Sequence, residues 1–108
     1  MNKVELDFEK MGGLIPAVIQ DSETSEILML AFQNAEAFEK TLASGEVYFF
    51  SRSRNELWKK GETSGNVLKV VEILADCDDD SVLIKVQHDQ NLHACHTGER
   101  SCFYTKIK

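Results

Sequence analysis

Short apolar runs separated by polar turns make up most of this sequence, and they favour strands over helices. The runs at 14–19 and 27–32 flank a polar turn at 21–25 and predict a β-hairpin. The stretch 52–66 is polar and punctuated by glycine, which predicts a loop. Further strands are predicted at 47–51, 67–75, 82–86 and 101–107.

One segment has helical character. Asn34 is suited to cap a helix N-terminus, Phe38 and Leu42 are spaced at a helical interval, and Gly45 is a natural stop. The sequence therefore predicts an α+β fold that is mostly β, with one helix covering the sheet. The 108 residues suffice for a single domain, predicted over 1–108, but leave little depth for a complete active site.

The charge balance argues against several classes of function. The chain carries 18 acidic and 12 basic residues, a net charge of −6, which disfavours a nucleic-acid-binding surface. No stretch approaches the ~20 apolar residues of a membrane span, and the N-terminal segment has no apolar run typical of a signal peptide. We therefore expect a cytoplasmic protein. Disulfides are disfavoured there, so the cysteines are buried side chains, redox residues or metal ligands.

Four carboxylates fall within the five residues 76–80, in the order Asp-Cys-Asp-Asp-Asp. If the preceding strand continued through them, Asp76, Asp78 and Asp80 would share one face and Cys77 would lie on the other. Carboxylate oxygens suit Mg²⁺ and a thiolate suits Zn²⁺, so this arrangement indicates two metals. The alternative is a solvated acidic turn, which an Asp run by itself favours.

The three cysteines, Cys77, Cys95 and Cys102, match the ligand count of an open zinc site in which water takes the fourth position. Their spacing contains no CxxC pair, so three buried structural cysteines remain an alternative. The acidic neighbours of Cys77 and the histidine that follows Cys95 favour the metal. That histidine, His96, is the candidate proton-transfer group, and the other two histidines are given no catalytic role.

The loop 51–65 combines groups that can hold a phosphorylated ligand. Its cationic side chains attract phosphate, its glycines let backbone amides approach an anion, and its tryptophan can pack against a base or ribose. The alternative is an exposed loop whose charges only solvate it. The predicted substrate-binding residues are Arg52, Arg54, Trp58, Lys60, Gly61, Thr63 and Ser64.

Six motifs follow one another along nearly the whole chain. They are GLIPAVIQD at 13–21, ILMLAF at 27–32, FSRSRNELWKKGETSG at 50–65, ADCDDD at 75–80, ACHTG at 94–98 and SCF at 101–103. Together they resemble the phosphoribosyl-AMP cyclohydrolase family of histidine biosynthesis, for which the succession DCDxD, CHTG and SCF is specific. One departure is Leu92, which stands where the family usually has a glycine.

The resemblance implies an activity, two metals and a partner. The implied reaction is hydrolytic opening of the purine ring of 1-(5-phosphoribosyl)-AMP between nitrogen 1 and carbon 6, giving a formimino-carboxamide ribotide. A zinc-activated water would attack this small-molecule nucleotide, with magnesium assisting. The implied assembly is a barrel-like homodimer with its zinc site shared between subunits. The implied ligands are Cys77 of one subunit with Cys95 and Cys102 of the other for zinc, and Asp76, Asp78 and Asp80 for magnesium.

Two other functions compete with this interpretation. A zinc nucleotide deaminase would release ammonia, but that class uses an HxE segment followed by PCxxC, and the sequence has neither. A non-catalytic binding module would use zinc only structurally and would close the site with a fourth protein ligand.

Overall fold

The computed structural model describes residues 5–108, which form two β-sheets and one α-helix. A short 3₁₀ turn, Glu9–Met11, precedes them. The elements are β1 (Ile15–Asp21), β2 (Ile27–Gln33), α1 (Ala35–Ser44), β3 (Tyr48–Ser51), β4 (Glu56–Lys59), β5 (Val70–Ala75) and β6 (Val82–Val86). The larger sheet has the strand order β2-β1-β6-β5, and β3 pairs with β4 in the smaller sheet.

The predicted apolar hairpin lies within the larger sheet. Strand β1 pairs antiparallel with β2 on one side and parallel with β6 on the other. Pro16 has no backbone donor, and it lies in β1 just before the pairing with β6 begins at Ala17. Every second side chain of β1 is buried, as expected for a strand with one face on the core.

The hydrophobic core joins the two sheets. Phe49 of β3 is fully buried, and its ring centroid lies 5.0 Å from that of Trp58 on β4. Leu92 and Ala94 belong to the same core, which anchors the segment leading to Cys95. The leucine that departs from the family pattern is therefore buried and contributes to packing.

Helix α1 begins and ends where the sequence predicts. The side chain of Asn34 accepts a 2.8 Å hydrogen bond from a backbone N–H of the first turn, and Gly45 ends the helix in the left-handed conformation. The buried Gln33 connects the helix to β3, because its amide nitrogen donates to the Thr41 hydroxyl and to the Tyr48 carbonyl. Among residues 5–108, no helix is long and apolar enough to cross a membrane.

Two expectations about the sheets are wrong. The strands of residues 5–108 do not close into a barrel, because the only strand-type backbone pairing between the two sheets is an isolated bridge between Glu46 and Lys69. Part of the stretch 52–66, expected to be a loop, is β4. Its residues pair with β3 in a hairpin that buries the Phe49–Trp58 contact, which outweighs the polar composition of the segment.

The last predicted strand, 101–107, is also wrong. The segment contacts β2 at its start only, where the Ser101 hydroxyl donates to the Ile27 carbonyl and the Cys102 N–H donates to the Leu28 carbonyl. Beyond Cys102 the side chains are exposed, and no neighbouring strand of the described chain continues the pairing. Aromatic and β-branched residues therefore do not make a strand here without a partner strand.

Candidate functional site

The acidic segment 76–80 forms a tight turn directly after β5. The Oδ1 atom of Asp76 accepts hydrogen bonds from the backbone N–H groups of Asp78 and Asp80, at 3.1 and 3.2 Å. The strand therefore ends at Ala75, and the predicted alternation of faces is wrong. Instead, the ligand atoms of Asp76, Cys77 and Asp78 all lie within 4.8 Å of one another on the surface.

The carboxylate of Asp80 also forms an ion pair with a lysine. The Nζ atom of Lys10 lies 2.9 Å from Oδ2 of Asp80. This hydrogen-bonded ion pair lowers the pKa of the Asp80 carboxyl and raises the pKa of the Lys10 ammonium group. Asp76, Cys77 and Asp78 are therefore the groups of this turn that are arranged to bind a cation together.

A tight loop brings Cys95 and Cys102 together. Backbone hydrogen bonds from Ala94 to Arg100 and from Cys95 to Glu99 close the loop, and the Cys102 N–H is held by β2. As a result, the Cys95 and Cys102 side chains lie close enough together for each to shift the pKa of the other. Two adjacent thiols at the end of a well-anchored loop are suited to bind one thiophilic metal ion.

The surroundings of the two thiols differ. The Thr97 hydroxyl lies 2.9 Å from the Cys95 sulfur, and this hydrogen bond lowers the pKa of the Cys95 thiol below its usual value. The positive charge of Lys60 lowers that pKa as well. Burial raises the pKa of the Cys102 thiol, and the neighbouring Cys95 raises it further. Cys95 is therefore the thiol more easily converted to the thiolate that a metal requires.

Cys77 does not join the other two cysteines within one chain. It follows β5, whereas Cys102 lies beside β2, and these strands are the two edges of the larger sheet. Three interstrand spacings separate the edges, a distance of about 14 Å. The two cysteines also lie at opposite ends of the strands. The last residue of β5 is in register with Ala17 through Val82 of β6, whereas the first residue of β2 pairs with Gln20. They occupy diagonally opposite corners of the sheet.

A cleft of about 520 Å³ lies beside the thiol pair. Both Cys95 and the proton-transfer candidate His96 line it, as does His93. The cleft therefore brings together, within one chain, part of the predicted zinc site and most of the predicted substrate loop. The predicted substrate-binding residues that line it are Arg54, Trp58, Lys60, Gly61, Thr63 and Ser64.

A close backbone contact shapes the loop on one side of this cleft. Gly61 has a φ of +84°, and a Cβ atom there would lie 2.3 Å from the backbone carbon of Asn66. The N–H of Gly65 donates back to the Gly61 carbonyl at 2.8 Å. Only glycine therefore fits at position 61 while the loop keeps this compact form.

The three cations that line the cleft are held differently. Arg54 and Lys59 each lie near a glutamate, at 3.5 and 2.6 Å. Lys60 has no carboxylate within 4.0 Å among residues 5–108, and its Nζ instead donates to the Ala94 carbonyl. Lys60 is thus the cation of the cleft whose charge no carboxylate neutralises directly.

Arg52 lies outside the cleft. Its guanidinium carbon is 4.0 Å from the centre of the Phe32 ring, a cation–π contact. Arg52 lines a separate surface cleft with Leu30, Phe50 and other residues. The structure therefore brings Arg52 together with Trp58, which lines both clefts, but not with the other predicted substrate-binding residues in one chain.

Sequence reasoning missed the ionic cluster that holds the thiol loop. The sequence places Asp21 in a polar turn and at the end of the motif GLIPAVIQD, and no pattern in it assigns a role to Arg100. In the folded chain the buried Asp21 carboxylate accepts a hydrogen bond from Arg100, two residues before Cys102. The available signal was that GLIPAVIQD ends an apolar strand with a carboxylate, a residue rarely buried unless it is paired.

Comparison with known proteins gives one consistent result. The family model described as phosphoribosyl-AMP cyclohydrolase matches residues 29–104. A protein of Desulfatibacillum aliphaticivorans named phosphoribosyl-AMP cyclohydrolase is 60% identical over 105 residues, covering 97% of this chain and 83% of that protein. Proteins of the same name from Geobacter sp. strain M21 and Geobacter sulfurreducens are 59% and 57% identical, covering 97% and 95% of this chain and 83% and 82% of theirs.

Proposed function

The chain belongs to the phosphoribosyl-AMP cyclohydrolase family, and we propose that it hydrolyses the purine ring of phosphoribosyl-AMP between nitrogen 1 and carbon 6, in histidine biosynthesis. The family is one of hydrolases, so the chain is an enzyme. The observation that carries the proposed site is the cleft in which Cys95 and His96 meet the loop of Lys60.

Zinc is proposed at the thiol pair because the donor atoms fit it. Cys95 and Cys102 are adjacent, and the lowered pKa of Cys95 favours a thiolate ligand. Cys77 of the partner subunit would complete the set of three sulfur ligands. When bound, zinc supplies a Lewis acid that makes water a stronger nucleophile at neutral pH.

Magnesium is proposed at the acidic turn, where hard oxygen ligands fit it. Asp76 and Asp78 already converge with Cys77 within 4.8 Å. Asp80 would join them only by giving up its ion pair with Lys10, so we propose that Lys10 competes with the metal for this carboxylate.

The residues of the cleft would bind and orient the nucleotide. Lys60 and Arg54 offer positive charge to phosphate, and the amides and hydroxyls around Thr63 and Ser64 offer hydrogen bonds. Trp58 is half-buried on β4, so its ring is fixed where a base or ribose could stack on it. The substrate role of Arg52 stays a prediction that this cleft does not support.

His96 is proposed to move the protons of the reaction. It would accept a proton from water as the water oxygen bonds to carbon 6, and pass that proton to the exocyclic nitrogen. The second water proton goes to nitrogen 1 as the bond between nitrogen 1 and carbon 6 breaks. Carbon 6 becomes a carboxamide, and no ammonia leaves.

A homodimer is proposed from an apolar row that crosses the larger sheet. Leu30, Val18, Leu83 and Leu74 are register partners on four successive strands, so they lie side by side on the outer face. Leu30 and Leu74 are 44% and 42% exposed, and further apolar side chains beyond Cys102 are exposed as well. A second copy stacked on this row about a two-fold axis can bring diagonally opposite corners together, and with them Cys77 and Cys102.

The experiment is a turnover assay of the purified protein with phosphoribosyl-AMP, followed by ultraviolet absorption as the purine ring opens. We expect turnover and bound zinc in the wild type, and loss of both in Cys95→Ala. Ammonia release would instead support a deaminase, and full turnover by a zinc-free Cys95→Ala protein would contradict the ligand set. Lys40→Met, a change of an exposed lysine on α1 outside the cleft, is the control for effects of protein handling and for nonspecific metal loss. The cytoplasmic location stays a prediction.

A further inference from the structure

We infer that Asp21 is a positioning residue for the segment 94–102, which carries Cys95 and Cys102, and that it acts through the Arg100 side chain. The inference rests on the proposed function in one respect, the role of these cysteines as zinc ligands. Asp21 touches neither the thiols nor the cleft, so its effect on them must pass through the segment that it holds.

The first step is the environment of Asp21 at the end of β1. The residue is only 1% exposed, and its carboxylate accepts hydrogen bonds from four donors. Two of them are the backbone N–H groups of Glu23 and Thr24, at 2.8 and 3.0 Å, and one is Nδ1 of His88, at 2.6 Å. The fourth is a terminal nitrogen of Arg100. A buried carboxylate saturated with donors has one well-defined position and is costly to move.

The second step is the geometry of Arg100, whose three nitrogens bind three different groups. Besides Asp21, they donate to Oε1 of Glu26 and to the Asp89 carbonyl, both at 2.7 Å. The guanidinium group therefore ties the segment 94–102, through Arg100 itself, to the β1–β2 turn and to the Asp89 backbone in a fixed orientation. Lysine has no comparable planar set of donors.

The third step links Arg100 to both thiols. Its backbone carbonyl accepts the N–H of Ala94, the neighbour of Cys95 on one side of the loop. Cys102 follows two residues later and is fixed to the Leu28 carbonyl. A displacement of Arg100 would therefore shift the two sulfur atoms relative to each other. Groups that orient metal ligands in this way commonly change metal affinity by about 10- to 100-fold.

The test uses Asp21→Asn, which keeps the shape of the side chain but replaces the acceptor facing Arg100 and His88 with a donor. Zinc affinity is measured by chelator competition, and the thiolate-to-cobalt absorption band of the cobalt-loaded protein reports on the sulfur ligands. We expect zinc affinity to fall about 10- to 100-fold and the cobalt band to weaken. Circular dichroism at the same temperature ensures that only folded protein is compared.

Glu26→Gln is the matched control, since it alters the more exposed carboxylate partner of the same arginine. We expect it to leave zinc affinity within about twofold of wild type, as is typical of a solvent-exposed pair. If Asp21→Asn does not fold, Arg100→Lys takes its place, with the same expected loss. Wild-type zinc affinity and an unchanged cobalt band in a folded Asp21→Asn or Arg100→Lys protein would overturn the inference.

The same measurements separate this inference from the proposed function. If Cys95→Ala still binds zinc like the wild type, the proposed ligand set fails. If Cys95→Ala loses zinc but Asp21→Asn keeps it, the proposed function stands and only the positioning role of Asp21 is wrong.

Discussion

The Nζ atom of Lys60 donates a 2.5 Å hydrogen bond to the carbonyl oxygen of Ala94. This contact joins the loop that is proposed to bind substrate to the segment that carries the thiol pair. It spans 34 residues of sequence and places a positive charge near both Cys95 and Cys102. Under the proposed function, Lys60 would therefore contribute to both substrate binding and metal binding.

Replacing Lys60 with methionine should lower the turnover of phosphoribosyl-AMP. We expect kcat/KM for phosphoribosyl-AMP to fall about 10- to 100-fold, because a hydrogen bond from a charged group contributes about 1.5–3 kcal/mol. Steady-state kinetics measure this change. Lys40→Met is the control, because Lys40 is exposed on α1 and lies outside the cleft. An equal loss in both variants would contradict the role given to Lys60.

The two glycines of the predicted substrate loop should respond differently to replacement by alanine. Gly61 and Gly65 share a φ of +84°, but only at Gly61 would a Cβ atom collide with backbone, at 2.3 Å. We expect Gly61→Ala to lower the free energy of unfolding by about 1–3 kcal/mol more than Gly65→Ala, since strain in φ is common to both. Urea unfolding measures the difference. Equal destabilisation would show that the loop does not keep this contact.

Replacing His96 with glutamine should slow the chemical step without removing the metal. We expect kcat to fall about 10²- to 10⁴-fold, the usual contribution of a general acid or base, while zinc content stays that of the wild type. His93→Gln is the matched variant, because His93 lines the same cleft but has no assigned proton to transfer. A larger fall in kcat in His93→Gln than in His96→Gln would show that His93, and not His96, transfers the proton.

Acidification should lower the free energy of unfolding because it protonates the Asp21 carboxylate. Burial raises the pKa of this carboxyl, but the hydrogen bonds from His88 and from the Thr24 and Glu23 amides outweigh it and lower the pKa from 3.8 to about 2. The folded-state pKa is below the unfolded one, so the ionised carboxylate stabilises the fold above pH 3.8. This contribution, about 2 kcal/mol, is lost as the pH falls from 3.8 to about 2.

The measurement is urea unfolding of the metal-free protein across this pH range, for wild type and Asp21→Asn. The difference in free energy of unfolding between the two proteins should be largest near neutral pH and shrink as the solution is acidified. A difference that stays constant down to pH 2 would mean that Asp21 is not ionised in the fold, or that its partners are still present after unfolding.

The parts of the fold that sequence predicts well are those with local signals. Alternating burial along β1 and the cap at Asn34 are both indicated by residues that are close together in the sequence. Strand β4 has no such signal, because its polar residues Glu56 and Lys59 become a strand only through pairing with β3. Separation into two sheets likewise depends on how the chain packs, which no single segment reveals.

In the candidate site, too, features that depend on contacts between distant segments are not visible in the sequence. The proximity of Cys95 to Cys102 is what the ligand set implied by the motifs requires, and the roles of both cysteines and of His96 stay predictions. The alternation predicted through the acidic turn fails, because the Asp76 carboxylate binds backbone amides and ends the strand. The contact of Asp21 with Arg100 joins residues 79 positions apart, so no local sequence pattern predicts it.

Mixing two inactive variants tests the shared catalytic site most directly. Cys77→Ala and Cys95→Ala each remove one proposed zinc ligand, so each homodimer should be inactive. If a site takes Cys77 from one copy and Cys95 from the other, every mixed dimer contains one intact site and one that lacks both ligands. Equal amounts unfolded and refolded together with zinc should recover about one quarter of wild-type activity. No recovery, although mixed dimers form, would contradict a site built from two chains.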